Sequence, residues 1–341
     1  MDKEKRLTEL KQLLTGNRKN DRLLIFQGIL DAASVGNTEL MNEYMRLALA
    51  YLPNELDDMM DELIKYEDVY TPVFLNLTVF KEVTLVKRMA LMNFLVKYAG
   101  EKEKAEKSEE EQVYAFDDEF QQELFDKITG GRIKYRTTEY PYSLIYLQYG
   151  LLIREYGDNI NAYTMFSKAH VWNPVSSVAL FQLLLLFKQS RQSEDLFRLG
   201  QWMLTVSYYP NFIAVALQFM AYALYLDGKF EESYAFYFQS LKYDDKPFPG
   251  LNEEINGVLA ALKTELPYNL SRVDIANLFI GKNYKPQPNE TVFDTLREHI
   301  IIAYTKQNYT EVLHYANSYQ KIRPRDNKIN SLIKKAIESL N

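Results

Sequence analysis

The chain has no cysteine, only three histidines, and little glycine or proline. Without cysteine it forms no disulfide, no Cys-ligated zinc site, no iron–sulfur cluster and no thiolate nucleophile, which fits a reducing compartment such as the cytoplasm. Its 341 residues include 13 Gly and 11 Pro, together well below the roughly 12% of average usage. We therefore expect few turns and long regular elements.

Export and membrane signals are also lacking. Residues 1–14 alternate charges with leucines, whereas a signal peptide has a continuous apolar core. The longest apolar stretch, Phe212 to Leu226, is interrupted by Gln218 and has 15 residues, fewer than the ~20 that span a bilayer. We expect this stretch to be a buried helix, and we expect no membrane partner.

The charge balance is mildly acidic, with 46 Asp and Glu against 40 Lys and Arg and a formal net charge of −6. Nucleic-acid-binding proteins normally show a basic face, so nucleic acid is not the expected partner. Both ends of the chain are locally basic, and residues 321–341 hold six basic and two acidic side chains. A solvated terminal helix explains this pattern more simply than an RNA-binding tail.

Helical periodicity dominates the sequence, and strand patterns are almost absent. A leucine stripe from Leu144 to Arg154 has spacings of three, four and three, and it stops at Gly157. A second helical pattern covers 160–171, and Pro174 closes it. Helix, tight turn, helix and proline therefore form one unit.

This unit recurs along the chain. Pro174, Pro210 and Pro247 each follow the second helix of a pair, at intervals of 36 and 37 residues. A fixed period near 34 residues predicts a stacked array of helix pairs. Looser copies are predicted over 22–53 and 293–324. The turns within the pairs are predicted at Gly157, residues 190–193, Gly228 and Gln307–Asn308.

Residues 143–176 resemble the tetratricopeptide repeat (TPR), a 34-residue helix–turn–helix unit, and the resemblance is clearest over 143–247. In the copy at 214–247, Ser233 and Ser240 replace small alanines. The copy at 177–210 departs from the pattern, so its internal packing must differ. The residues at the family spacing are Tyr146, Gly150, Gly157, Ala162, Phe166, Ala169 and Pro174.

The resemblance implies an all-α fold, namely a TPR-like α-solenoid in which antiparallel helix pairs form a right-handed superhelix. We predict an irregular helical region with a degenerate repeat over 1–99 and the repeat domain over 113–341. Between them, residues 100–112 hold six acidic and three basic side chains and no large apolar residue. This segment is predicted to be a charged linker or a solvated helix.

Residue patterns give little support for a catalytic or metal site. His299 and His314, with Glu298, could form a His/Glu metal site on facing helices, but neither histidine has an i, i+4 partner. Surface positions explain them and His170 more simply. The pair Gly130–Gly131 lacks the Gly-Lys-Ser/Thr ending of a phosphate loop. It predicts a flexible loop, and a contact for a phosphate or an acidic ligand is the alternative. We expect no enzyme activity, no cofactor and no metal.

The resemblance also implies a partner-binding surface, because the first helices of such repeats line a concave face. The corresponding residues are mostly apolar or aromatic with isolated cations. They suit a peptide or a partner helix with hydrophobic anchors, and the isolated cations allow an acidic group in that ligand. Repeats that bind a carboxyl-terminal carboxylate use Lys and Asn at the matching positions, whereas this chain has apolar residues there. We therefore expect no carboxylate clamp. The candidate residues are Leu147, Leu151, Arg154, Phe181, Leu185, Lys188, Gln218, Tyr222, Tyr225, Arg297, Ile301 and Tyr304.

The sequence thus predicts a non-enzymatic, cytoplasmic protein-binding or scaffold protein whose TPR groove holds a peptide or a helix of another protein. One alternative is a peptide-responsive regulator that acts through an N-terminal helical bundle, residues 1–98. Another is an accessory nucleic-acid-binding subunit that uses the basic ends.

Overall fold

A computed structural model describes residues 3–34, 37–51, 96–97, 99–104, 112–138, 140–243, 250–263 and 270–340. The described chain is mostly helical, and helices that follow one another in sequence pack against each other as pairs. None of the described helices is long and apolar enough to cross a membrane. Within the irregular helical region predicted over 1–99, residues 52–95 and 98 lie outside the described residues, as does Pro247.

The elements follow one another along the chain as two short strands and a series of helices. In chain order they are α1 (Lys3–Leu13), α2 (Arg18–Ser34), α3 (Thr38–Tyr51), β1 (Gln112–Tyr114), α4 (Glu119–Thr129), β2 (Tyr135–Thr137), α5 (Tyr142–Glu155), α6 (Asn159–Trp172), α7 (Ser177–Gln189), α8 (Ser193–Val206), α9 (Pro210–Leu226), α10 (Phe230–Ser240), α11 (Leu251–Ala261), α12 (Arg272–Leu278), α13 (Glu290–Thr305), α14 (Tyr309–Ile322) and α15 (Asn327–Leu340).

Two compact units divide the chain. The first comprises Met1–Glu110 and Glu139–Met165, and the second comprises Glu111–Thr138 and Phe166–Asn341. The sequence-based division into 1–99, 100–112 and 113–341 stays a prediction.

In the first unit, α2 packs on α3. Ile25 and Ile29 of α2 are fully buried, and the Asp21 carboxylate accepts hydrogen bonds from two backbone N–H groups of the preceding turn, each at 2.9 Å. Residues 99–104 are helical, and the Tyr146 hydroxyl donates to Glu103 Oε2 at 2.6 Å. This part of the predicted linker is therefore a helix, whereas 105–111 lie outside the described residues.

A small two-stranded sheet in the second unit was not predicted. β1 pairs in parallel with β2, and α4 forms the crossover between them. The Asp118 side chain caps the start of α4 by accepting from Gln121 N at 2.8 Å. Gly130 and Gly131 both adopt left-handed backbone angles, φ 65° and 64°, where α4 ends. The glycine pair therefore forms a helix end that leads towards β2.

The turn inside a helix pair has the same hydrogen-bond pattern at four places. In each turn one residue has a left-handed backbone, two positions before the next helix. Its N–H bonds to the carbonyl three residues back at 3.0 to 3.2 Å, and the next N–H bonds five residues back at 2.9 to 3.1 Å, which is the Schellman motif. The predicted turn positions are thus confirmed. The left-handed residues are Gly157 (φ 95°), Arg191 (φ 54°), Gly228 (φ 74°) and Gln307 (φ 59°).

Helix α9 lies at the centre of the most extensive packing in the second unit. It packs on α8 and on α10, and Ala214, Ala216 and Ala221 are fully buried. Pro210 occupies its first turn, where proline removes no helical hydrogen bond. The apolar stretch Phe212 to Leu226 is therefore the buried helix that the sequence predicted. Further along the chain, α13 packs on α14 and α14 on α15.

Candidate functional site

Lys188 at the end of α7 is the centre of the most distinctive cluster of predicted binding residues. Its Nζ forms an ion pair with Glu254 of α11 and lies 5.2 Å from the ring centroid of Tyr222 and 5.4 Å from that of Phe219. The Tyr222 ring stacks on Tyr225 with centroids 6.3 Å apart. We call Lys188, Phe219, Tyr222, Tyr225, Tyr237 and Glu254 the Lys188 cluster.

Tyr237 of α10 anchors the acidic side of the Lys188 cluster. Its hydroxyl donates to Glu254 Oε2 at 2.7 Å, and the residue is fully buried. Burial raises the pKa of Tyr237 well above its ordinary value, and the Glu254 carboxylate raises it further. The phenol therefore stays protonated at neutral pH and keeps donating to Glu254, which fixes that carboxylate beside Lys188.

A row of aromatic rings continues from the Lys188 cluster along α7 and α9. The Phe181 centroid lies 6.3 Å from that of Phe219 and 6.0 Å from that of Phe212. Leu185 and Phe181 are partly exposed. Gln218 is 4% exposed, and its side-chain nitrogen is buried without a hydrogen-bond partner among the described residues. Five predicted residues of α7 and α9 thus form one surface strip, whereas Gln218 lies beneath it.

The remaining predicted residues occupy other parts of the fold. Leu147, Leu151 and Arg154 lie on α5 in the first unit, where Leu147 is buried and the other two are partly exposed. In the second unit, the Arg297 side chain is paired with Asp326 at 2.7 Å. Tyr304 packs edge-on against Tyr309, with centroids 5.8 Å apart, and Ile301 is partly exposed.

The predicted surface position of His299 is wrong. The residue is 7% exposed, with Nε2 2.9 Å from Glu311 Oε1 and Nδ1 3.7 Å from Glu123 Oε2. The rings of Phe120 and Tyr315 pack against it edge-on, with centroids 5.5 and 4.9 Å away. His299 thus packs between α4 and α14.

His314 and Glu298 are not partners of that imidazole. His314 Nε2 lies 3.3 Å from the Tyr209 hydroxyl, and Glu298 pairs with Lys127 at 2.5 Å. Within the described part of the chain, no three His, Asp or Glu side chains are arranged to hold a metal ion.

Sequence reasoning missed Glu254 and Tyr237, which complete the Lys188 cluster. Glu254 lies 66 residues from Lys188 along the chain. The sequence near Glu254 gave no hint of an ion pair. Glu253 and Glu254 lie in the first turn of α11, where acidic side chains are common because they interact favourably with the helix dipole.

Comparisons with protein-family models and with curated protein sequences identify no relative of this chain. The chain matches no protein-family model, and no curated protein sequence matches it significantly.

Proposed function

We propose that the chain is a non-enzymatic, cytoplasmic protein-binding or scaffold protein with a TPR-like α-solenoid, whose groove holds a peptide or a partner helix. The observation that carries the proposal is the Schellman turn, which recurs with one hydrogen-bond pattern at four places. Three of these turns join helices that pack on each other, namely α7 on α8, α9 on α10 and α13 on α14. In this proposal, first helices such as α7 and α9 line the inner face of a right-handed superhelix.

The chemistry of the Lys188 cluster indicates which partner the groove favours. Tyr222 and Tyr225 supply large, partly exposed rings with few rotors to immobilise, which suits them as binding anchors. Lys188 already has a counter-ion in Glu254, and each of the two side chains is 20% exposed. The cluster therefore favours apolar and aromatic side chains of a partner over an acidic group.

The test compares two double variants in co-purification from cell extract, followed by affinity measurement with the partner that is identified. Tyr222→Ala/Tyr225→Ala should weaken the partner's affinity by about tenfold or more, as loss of interface anchors does. The matched control is Tyr156→Ala/Tyr163→Ala, which removes two exposed tyrosines, 69% and 44% exposed, outside the Lys188 cluster. Equal affinities of the two variants, or an unchanged set of partners, would contradict the proposal.

A second candidate is a peptide-responsive regulator that acts through its N-terminal helices. The observation in its favour is that α1, α2 and α3 all contact one another in the first unit. Calorimetry with short peptides separates the candidates. A sensor binds a compact peptide and changes globally, so its hydrogen exchange changes throughout the chain, whereas a scaffold shows protection confined to the groove. The third alternative, a nucleic-acid-binding subunit, requires salt-sensitive retention on heparin.

A further inference from the structure

A cavity of about 700 Å³ lies in the second unit at the end of α10. Its walls come from the end of α10, from α12, from residues 279–290 and from the end of α14. Phe279, Pro286 and Pro288 are buried in its lining. No residue of the Lys188 cluster lines it. Its volume falls in the range of roughly 300–1,000 Å³ that is typical of small-ligand sites.

Basic side chains dominate this cavity, although the chain as a whole has a formal net charge of −6. Glu290 is the one carboxylate among the lining residues that the structure describes. The basic lining residues are Lys242, Arg272, Lys282, Lys285 and Arg323.

Two of these cations have acidic partners within the protein. Lys282 Nζ lies 3.0 Å from Glu232, and one Arg323 nitrogen donates to both carboxylate oxygens of Glu290 at 2.6 Å. Because these ion pairs neutralise much of the charge of Lys282 and Arg323, those two residues contribute little to the positive charge of the cavity.

The other three cations, Lys242, Arg272 and Lys285, form no ion pair within the described residues. Lys242 Nζ donates to the amide oxygen of Gln239 at 2.5 Å, and no carboxylate of the described residues compensates its charge. Partial burial and the nearby Arg272 charge lower the pKa of Lys242 from its ordinary value, as like charges at the rim of one cavity do. An anion in the cavity would relieve this repulsion.

Phosphate is the anion that this geometry suits best. A phosphate monoester carries a charge of about −1.5 to −2 near neutral pH and three strong acceptor oxygens. Arg272 offers a planar fork for two of these oxygens, and each lysine acts as a point charge. The cavity is larger than one phosphate group, so the rest of the ligand can contact the lining near Phe279. We propose that Lys242, Arg272 and Lys285 bind a phosphate-bearing ligand in this cavity.

Isothermal titration calorimetry with inorganic pyrophosphate tests the proposal on the full chain at low salt. We expect saturable one-site binding to the wild type and affinity at least about tenfold weaker in Lys242→Ala/Arg272→Ala. The matched control, Lys334→Ala/Lys335→Ala, removes two exposed lysines of α15 outside the cavity and should bind like the wild type. Absence of saturable binding to the wild type, or equal losses in both double variants, would overturn the site.

Further variants separate loss of charge from loss of fold. Arg272→Lys should retain more affinity than Arg272→Gln, with unchanged circular dichroism and unchanged Tm in both. Equal affinities in these two variants would contradict a direct electrostatic contact of Arg272.

Competition then identifies the source of the phosphate. A nucleoside diphosphate and a phosphoserine peptide are each added to the pyrophosphate complex. Displacement by the first indicates a free small molecule, and displacement by the second indicates a modified protein. Failure of both, or equal displacement by a glutamate-substituted peptide, would overturn the preference for phosphate.

Discussion

His170 lies near the end of α6, where its Nδ1 is buried without a hydrogen-bond partner among the described residues. Burial lowers the pKa of this imidazole from 6.5 to about 4, and the Arg198 charge adds to the effect. Below pH 6.5 the unfolded chain therefore takes up a proton that the folded chain resists down to about pH 4. As the pH falls from 6.5 to about 4, the free energy of unfolding should decrease by up to about 3 kcal/mol. Above pH 6.5 the imidazole is neutral in both states, so His170 should cause no such loss.

Urea unfolding of the wild type and of His170→Gln between pH 7.5 and 4.5 measures this contribution. Glutamine has no charge to gain, so the variant should lose less stability than the wild type as the pH falls. The comparison cancels the carboxylates that titrate in both proteins. Parallel stability curves would show that His170 is as easily protonated in the folded chain as in the unfolded one.

Burial of single side chains was the hardest property to predict from the sequence. The surface position expected for His299 failed because α14, the next helix, and α4, which is far away along the chain, cover it with Tyr315 and Phe120. Helical register alone was enough to predict that Lys188 lies on the binding face. It could not predict the ion pair with Glu254, which lies 66 residues away along the chain. Local periodicity shows which side of a helix is apolar, but it does not show which remote side chain covers it.

At the scale of elements, Gly200 sets how closely α8 approaches α9. A Cβ built on Gly200 would lie 2.7 Å from Met220 Cγ and 3.4 Å from the Ala216 carbonyl oxygen. Because Met220 is fully buried, it has little room to move away. Gly200→Ala should therefore destabilise the protein by about 1–3 kcal/mol through overpacking, less the ~1 kcal/mol that alanine gains in a helix.

Gly257→Ala in α11 is the matched control for this prediction. Its Cβ would meet only the Tyr225 hydroxyl at 3.9 Å, an ordinary contact. The helical preference of alanine then acts alone, and stability should rise by up to about 1 kcal/mol. Thermal unfolding compares both variants with the wild type. Stabilisation by both substitutions would show that α8 and α9 have space to separate.

Elements were predicted better than individual contacts. The helical pattern predicted over 160–171 corresponds to α6, and the buried helix predicted from Phe212 to Leu226 lies within α9. The ends of helices could be predicted where a glycine occupies the left-handed position of the turn, as Gly228 does. The strands β1 and β2 were missed because each has three residues, too few for an alternating pattern to show.

Serine at two alanine positions of α10 also has a physical explanation. The Ser233 hydroxyl donates to the Ala221 carbonyl of α9, and the Ser240 hydroxyl donates to the Tyr237 carbonyl, each at 2.7 Å. Both serines are fully buried. Their hydroxyl groups are therefore satisfied by backbone acceptors, and serine keeps the small side-chain volume that the TPR resemblance predicts at these positions.

On the scale of the whole molecule, stability should vary along the helices of the second unit. Helix α9 has buried residues on nearly every turn, whereas only Ile329 and Ala336 of α15 are buried. Segments with few buried apolar side chains open at a lower free-energy cost, so α15 should open before α9. Native-state hydrogen exchange should be slower in α9 than in α15 by about 100-fold or more.

Mass spectrometry of exchanged peptides measures this difference directly. Increasing urea should accelerate exchange in α15 before it does so in α9. Equal exchange rates in the two helices would indicate that they unfold together as a single cooperative unit, and this outcome would contradict the prediction.

The four Schellman turns have an evolutionary consequence. Each turn is closed by backbone hydrogen bonds within its own chain segment, and at Arg191 and Gln307 even a non-glycine residue adopts the left-handed geometry. A hairpin that closes without help from distant sequence can be duplicated or lost by recombination as an intact piece. Related genes are therefore expected to differ by whole hairpins, with insertions or deletions of about 34 to 37 codons that begin and end at equivalent turns.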